Sequence, residues 1–187
     1  MTTIEAKYQE KCATPSDIYQ HLPTLRKYAE QCRHVTEMGV RTIVSTWAFL
    51  AAKPEHGVLS IDYIHPVRHG GNLDEVLELA ILERVIFDFV EADTRTVEIS
   101  PTDLLFIDTW HTCEQLKIEL ARHASKAGKF IILHDTETYG LQDESPGTGH
   151  GLRPALNDFL ADGEGLNWKI KEIFTNCNGL TVLERRT

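Results

Sequence analysis

The chain has 187 residues, 42% of them hydrophobic and 25% charged, which suffices for one sizeable core in one domain spanning 1–187. Its formal net charge of −9, with nine histidines counted as neutral, disfavours a nucleic-acid partner, because nonspecific binding depends on basic surface. No apolar run reaches the length of a membrane span, and MTTIEAKYQEK lacks the apolar stretch of a secretion signal, so no membrane partner is expected. Cys12, Cys32, Cys113 and Cys177 form no CxxC pair, which argues against a zinc ribbon or disulfide framework and fits a reducing, cytoplasmic location.

In chain order, residues 1–14 read as peripheral or poorly ordered. Ser16 to Cys32 reads as a helix, with Ile18, Leu22, Leu25 and Tyr28 at helical spacing and Pro23 interrupting it near its start. Val35–Met38 is the first strand. Glu37 and Gly39 stand at its end, and Ser45 and Thr46 are N-cap residue types ahead of a helix running to about Ala52. Strand, glycine turn and helix start together make a cradle for a polar ligand. The unpaired N–H groups there carry partial positive charge, and the glycine permits close backbone approach.

Val58–Asp62 is the second strand, followed by a loop, His65 to Gly71, and a helix from Asp74 to about Ala80. Val85–Val90 and Leu104–Ile107 are the third and fourth strands; the latter is continuously apolar, as expected when both sheet faces are covered. A helix over Thr112–Ser125 and a fifth strand over Phe130–Leu133 follow. Gly140–Gly151 is a long loop, a candidate substrate lid. After a helix from Leu152 to about Leu160, strands at Trp168–Phe174 and Leu180–Glu184 are joined by an Asn176–Gly179 hairpin turn. Alternation of strand and helix predicts a doubly wound, mostly parallel, seven-stranded α/β sheet with a C-terminal antiparallel hairpin.

In such sheets ligands bind at the carboxyl ends of the strands. Titratable residues collect there: Glu37, Asp62, Glu91 and Asp93, then Asp108 with Trp110 and His111, and finally His134 and Asp135. Asp108 and Asp135 would end adjacent strands, within reach of one cation. Their oxygens suit Mg²⁺, and a nitrogen from His134 would favour Mn²⁺, Fe or Zn. His111 has the pKa of a group that takes a proton from a hydroxyl. Thr109 or Thr112, or Asp108 itself, would cap the next helix.

With these residues in view, the chain resembles class I, Rossmann-like S-adenosylmethionine-dependent methyltransferases. It is similar in particular to metal-dependent catechol-type O-methyltransferases and the cephalosporin-biosynthesis methyltransferase/hydroxylase-like group. Glu37-Met-Gly-Val-Arg-Thr-Ile-Val-Ser45 resembles their acid-x-Gly-x-x-x-Gly-x-Ser cofactor motif. Asp62 matches the acid that binds ribose, Ala92-Asp-Thr94 matches the adenine-flanking segment, and Asp108-Thr-Trp-His111 resembles Asp-x-Trp-Lys. The resemblance implies cofactor contacts from Glu37, Gly39, Arg41, Ser45, Asp62, Asp93, Thr94 and Asp108. It implies a divalent metal, Mg²⁺ with Mn²⁺ as the alternative, on Asp108, His134 and Asp135, and His111 as the catalytic base.

Three positions depart from the family pattern. Ile43 replaces the second glycine and would crowd the cofactor, Thr136 replaces an Asn ligand, and His134 replaces an acid. The implied reaction is methyl transfer to the hydroxyl of a small molecule, and so short a chain leaves room for a homo-oligomeric partner. A metal-dependent hydrolase built on the same acids and histidines, and a non-catalytic protein of the methyltransferase fold, are the alternatives.

Overall fold

The computed structural model describes residues 2–144 and 149–186. Strands β1 (Val35–Met38), β2 (Val58–Asp62), β3 (Phe87–Glu91), β4 (Thr102–Ile107), β5 (Ala127–His134), β6 (Trp168–Phe174) and β7 (Leu180–Arg185) form one sheet in the order β3-β2-β1-β4-β5-β7-β6. β1 to β5 run parallel, and β7 pairs antiparallel with both β5 and β6. The order reverses between β1 and β4, so a crevice opens at their carboxyl ends.

Helices α1 (Ile4–Ala13), α2 (Leu22–Ala29), α3 (Ser45–Ala51) and α4 (Leu73–Glu83) pack with one face of the sheet. α5 (Cys113–His123) and α6 (Leu152–Ala161) cover the other. Alternation along β4 divides its apolar run between the two layers: Leu104 and Phe106 enter the first, Leu105 and Ile107 the second. No helix among the described residues is long and apolar enough to cross a membrane.

Three expectations change. Residues 4–13 are not peripheral: α1 buries Ile4 and Tyr8, and Lys7 meets Glu75 at 2.7 Å. The helix expected from Ser16 begins only at Leu22, with Pro23 in its first turn, where the missing N–H has no intrahelical partner to lose. Ser45 and Thr46 are the first residues of α3 rather than its cap, which is Val44 without a side-chain hydrogen bond.

Their hydroxyls serve Glu37 instead. The Glu37 side chain is fully buried and accepts from Ser45 Oγ at 2.5 Å, Thr46 Oγ1 at 2.7 Å and Ser60 Oγ at 2.5 Å. An isolated buried carboxylate is costly, and three donors offset part of that cost. Burial still pushes the Glu37 pKa up from 4.5 to about 7, against the pull of the three hydroxyls. The folded protein therefore keeps this proton to a higher pH than the unfolded chain, and stability declines as pH rises between the two values. Glu37→Gln removes that titration. Urea unfolding should show the parent losing stability relative to this variant as pH rises from 4.5 to 7. A constant difference would contradict the assignment.

Candidate functional site

The crevice at the carboxyl ends of the strands holds a cavity of about 610 Å³, a size suited to a nucleoside-bearing ligand. Gly39, Asp62, Asp93, Trp110 and Glu144 mark its perimeter. Its wall is set by one close approach. Gly39 has φ +89° and passes so near β4 that a Cβ there would lie 1.8 Å from the Asp108 carbonyl oxygen. The glycine thus serves contact between two chain segments as well as access to the cavity.

Asp62 holds the loop after β1. Its Oδ2 accepts from the N–H groups of Val40 at 2.7 Å and Arg41 at 2.9 Å, and its Oδ1 from Ile64 N–H at 2.9 Å. Two residues of that loop, Arg41 at φ 44° and Ile43 at φ 59°, occupy the left-handed region, which is costly for a β-branched side chain. Arg41 borders the cavity and pairs with Asp17 at 2.6 Å. Ile43 does not crowd the cavity. Its side chain is 2% exposed, lies in the apolar layer with α3, and packs against Gly71. Glu37 and Ser45 face one another in the interior and do not line the cavity.

Asp93 and Thr94 line the cavity but are already engaged. Asp93 is bound by Arg95 through its N–H at 2.9 Å and its guanidinium at 2.7 Å. The Thr94 hydroxyl donates to Glu119 at 2.5 Å and accepts from Gln115 Nε2 at 3.1 Å. Glu119 is fully buried on α5, and burial raises its pKa although Thr94, Gln115 and Thr109 all donate to it. Sequence reasoning does not reach Gln115 and Glu119. Their signal is two polar residues at i, i+4 on a helix face that otherwise buries Leu116 and Leu120. Thr112, not Asp108 or Thr109, caps α5.

Beside the cavity, β4 and β5 bring Asp108, His111 and Asp135 together, with one donor atom from each inside a 4.8 Å cluster. His111 Nε2 lies 2.7 Å from Asp135 Oδ2 and 3.3 Å from Asp108 Oδ1. Its Nδ1 is 3.1 Å from Glu144 Oε2, and its ring stacks on Tyr139 at 4.8 Å. His134 is not part of the cluster. It sits behind it, 1% exposed at the side chain, with Nδ1 3.3 Å from Asp108 and 3.4 Å from Asp135, and with Nε2 donating to the Cys177 carbonyl at 3.0 Å. Thr136 also turns away, its hydroxyl accepting from Thr181.

Burial favours the neutral form of each of these groups, yet mutual attraction prevails. The charge of His134 and the hydrogen bond from His111 hold Asp108 well below the carboxylate range, and both rings likewise lower Asp135. The two carboxylates raise His134 well above its ordinary value and His111 to about 10. His111 therefore keeps its proton through neutral pH in this state, rather than losing it near the ordinary histidine value as its unperturbed chemistry suggests. The donor set suits a divalent cation on independent grounds. Asp135 Oδ1 is buried with no hydrogen-bond partner among the described residues, and Glu144 accepts from the far nitrogen of the ring, as partners of metal-bound histidines do. Residues 145–148 of the expected lid lie outside the described residues.

These contacts give Asp62 a structural role that ligand binding alone would not. Asp62→Ala should destabilise the ligand-free protein by about 2–3 kcal/mol, the scale of hydrogen bonds to a charged group. Unchanged denaturation in urea would show that the loop holds itself.

No protein-family model and no curated protein matches the sequence. Solved structures match over almost the whole chain. The O-methyltransferase from Bacillus cereus in complex with SAH has a TM-score of 0.68 at 14% identity, covering 98% of this chain and 90% of that one. The O-methyltransferase TomG from Streptomyces achromogenes, in complex with SAM and involved in tomaymycin synthesis, has a TM-score of 0.65 at 12% identity, covering 100% and 91%. A methyltransferase from Geobacter sulfurreducens has a TM-score of 0.63 at 17% identity, covering 98% and 89%. Together with the strand order and the antiparallel hairpin, these similarities establish that the chain has the class I methyltransferase fold.

Proposed function

We propose that the protein transfers the methyl group of S-adenosylmethionine to the hydroxyl of a small molecule, with a divalent cation at the Asp108–His111–Asp135 cluster. The observation behind this reading is adjacency: a nucleoside-sized cavity at the strand-order reversal opens directly onto a cation-suited cluster, and Asp108 and His111 border both. A hydrolase could use the same cluster and cavity, but the similar solved structures are O-methyltransferases in complex with SAM or SAH, which favours methyl transfer. The non-catalytic alternative rests on Ile43, whose side chain lies in the apolar core and leaves the cavity clear.

When bound, the sulfonium cofactor would supply an activated methyl group and leave as the thioether, and the cation would lower the pKa of the acceptor hydroxyl so that its proton passes to solvent water. The chain's own residues bind and orient. Asp62 fixes the loop after β1, against which the cofactor's ribose would lie. Asp108 and Asp135 would hold the cation, and His111, expected as the base, would supply the third donor atom, with its Nδ1–H held by Glu144. His134 takes a different part from the one expected of it. Both of its ring nitrogens face oxygen acceptors, so it acts as a donor that keeps the two carboxylates in place. The mixed oxygen and nitrogen donor set favours Mn²⁺ over Mg²⁺.

Calorimetry on the whole protein should show binding of S-adenosylhomocysteine, and separate binding of Mn²⁺ tighter than Mg²⁺. Absence of any S-adenosylhomocysteine binding, with or without Mn²⁺, would sink the proposal. Asp135→Asn suits the left-handed backbone at that position and should weaken Mn²⁺ by at least about 100-fold, since even outer partners of a metal cost about 10–100-fold. Cofactor-product affinity should remain within about twofold, because Asp135 does not line the cavity. His111→Gln should weaken Mn²⁺ too; full Mn²⁺ affinity together with lost methyl transfer would return His111 to the role of base.

A further inference from the structure

The proposed reading places the reacting sulfur beside the cluster and the ribose at Asp62. The purine is left with the end of the cavity lined by Asp93, Thr94 and Gln115. Of these, Asp93 is occupied by Arg95, which binds both carboxylate oxygens. The Thr94 hydroxyl gives its proton to Glu119 and accepts from Gln115. Both side chains flanking the base are thus already engaged within the protein.

Gln115 is different. Its Nε2 donates to Glu119 Oε1 at 2.7 Å and to Thr94 Oγ1 at 3.1 Å. Both contacts fix the sense of the amide. Reversal would set the amide oxygen against a carboxylate oxygen, and against a hydroxyl whose proton is already directed elsewhere. The side-chain oxygen, Oε1, then has no hydrogen-bond partner among the described residues and is not one of their fully buried unpartnered atoms, so it keeps some exposure on a residue that lines the cavity. Glu119 is held in turn by Thr109 at 2.9 Å, so the amide rests on a closed network rather than on one contact.

Resting on the cofactor reading above, we infer that Gln115 is the specificity-determining residue for the purine: its fixed carbonyl oxygen accepts from a 6-amino group, and Glu119 is the positioning residue that locks it. A 6-oxo purine presents an oxygen to that oxygen and is rejected, because a site built to hydrogen-bond one group leaves its own polar atom unpaired against the analogue.

The test is calorimetry on the full chain with S-adenosylhomocysteine and with S-inosylhomocysteine, in which a 6-oxo group replaces the 6-amino group. The parent should prefer the adenosyl compound by at least about tenfold. Gln115→Met, which keeps the volume and removes the amide, should lose that preference through weaker binding of the adenosyl compound alone. Gln115→Asn draws the amide back by one methylene and should narrow the preference, which covers the case in which the Met variant does not fold. A parental preference retained by either folded variant overturns the inference, as do equal affinities of the parent for the two compounds; in both cases the cofactor assignment stands. Failure of the parent to bind either compound removes the cofactor reading, and the inference with it.

Discussion

Everything at the carboxyl end of this sheet depends on one carboxylate, Asp62, holding the loop after β1 by its backbone N–H groups. The loop crosses β4 at Gly39 with no room for a side chain, and two of its non-glycine residues adopt left-handed backbone. Such a conformation persists only where the surroundings over-determine it. Here the hydrogen bonds to Asp62, the burial of Ile43 and the contact of Gly39 with the Asp108 backbone act together. The Ile43 side chain anchors the loop in the apolar layer while Asp62 holds its backbone. The cavity wall is thus built from the chain's own contacts before any ligand arrives.

Glu37, Glu119, Asp108 and Asp135 lie in or behind this wall in a protein of net charge −9, and their carboxyl groups are satisfied in different ways. Glu37 has three hydroxyl donors and a raised pKa. Glu119 has two hydroxyls and an amide and is also raised. Asp108 and Asp135 face two imidazoles and are lowered. Neutral donors offset only part of the desolvation cost, whereas cationic ones reverse it. Ion pairing is therefore confined to Asp108 and Asp135, where chemistry is proposed, while Glu37 and Glu119 are held by neutral donors and organise their neighbours.

The same logic separates the two histidines. His134 is enclosed, with a carbonyl at one nitrogen and carboxylates at the other, so it has no lone pair to offer while both contacts hold. His111 lines the cavity with Glu144 at Nδ1 and turns Nε2 to the two carboxylates. Two residues of one type, each within reach of the same two carboxylates, are thereby assigned to support and to the site.

Local patterning in the chain is enough to specify the alternation of strand and helix, the doubly wound sheet with its closing hairpin, and the collection of Asp62, Asp108, His111 and Asp135 along one rim. Those features follow from periodicity and from the rule that successive parallel strands end at the same edge. What each side chain faces is a matter of packing. Glu37 and Ser45 satisfy one another in the interior, Ile43 turns into the core, and Arg95 occupies Asp93. His111 rather than His134 joins the acids, and Gln115, which no motif singles out, comes to line the cavity with the buried Glu119 behind it. Periodicity assigns a residue to a strand and to one end of it. The partner that claims its polar atoms comes from segments far along the chain, and only the folded arrangement brings those together.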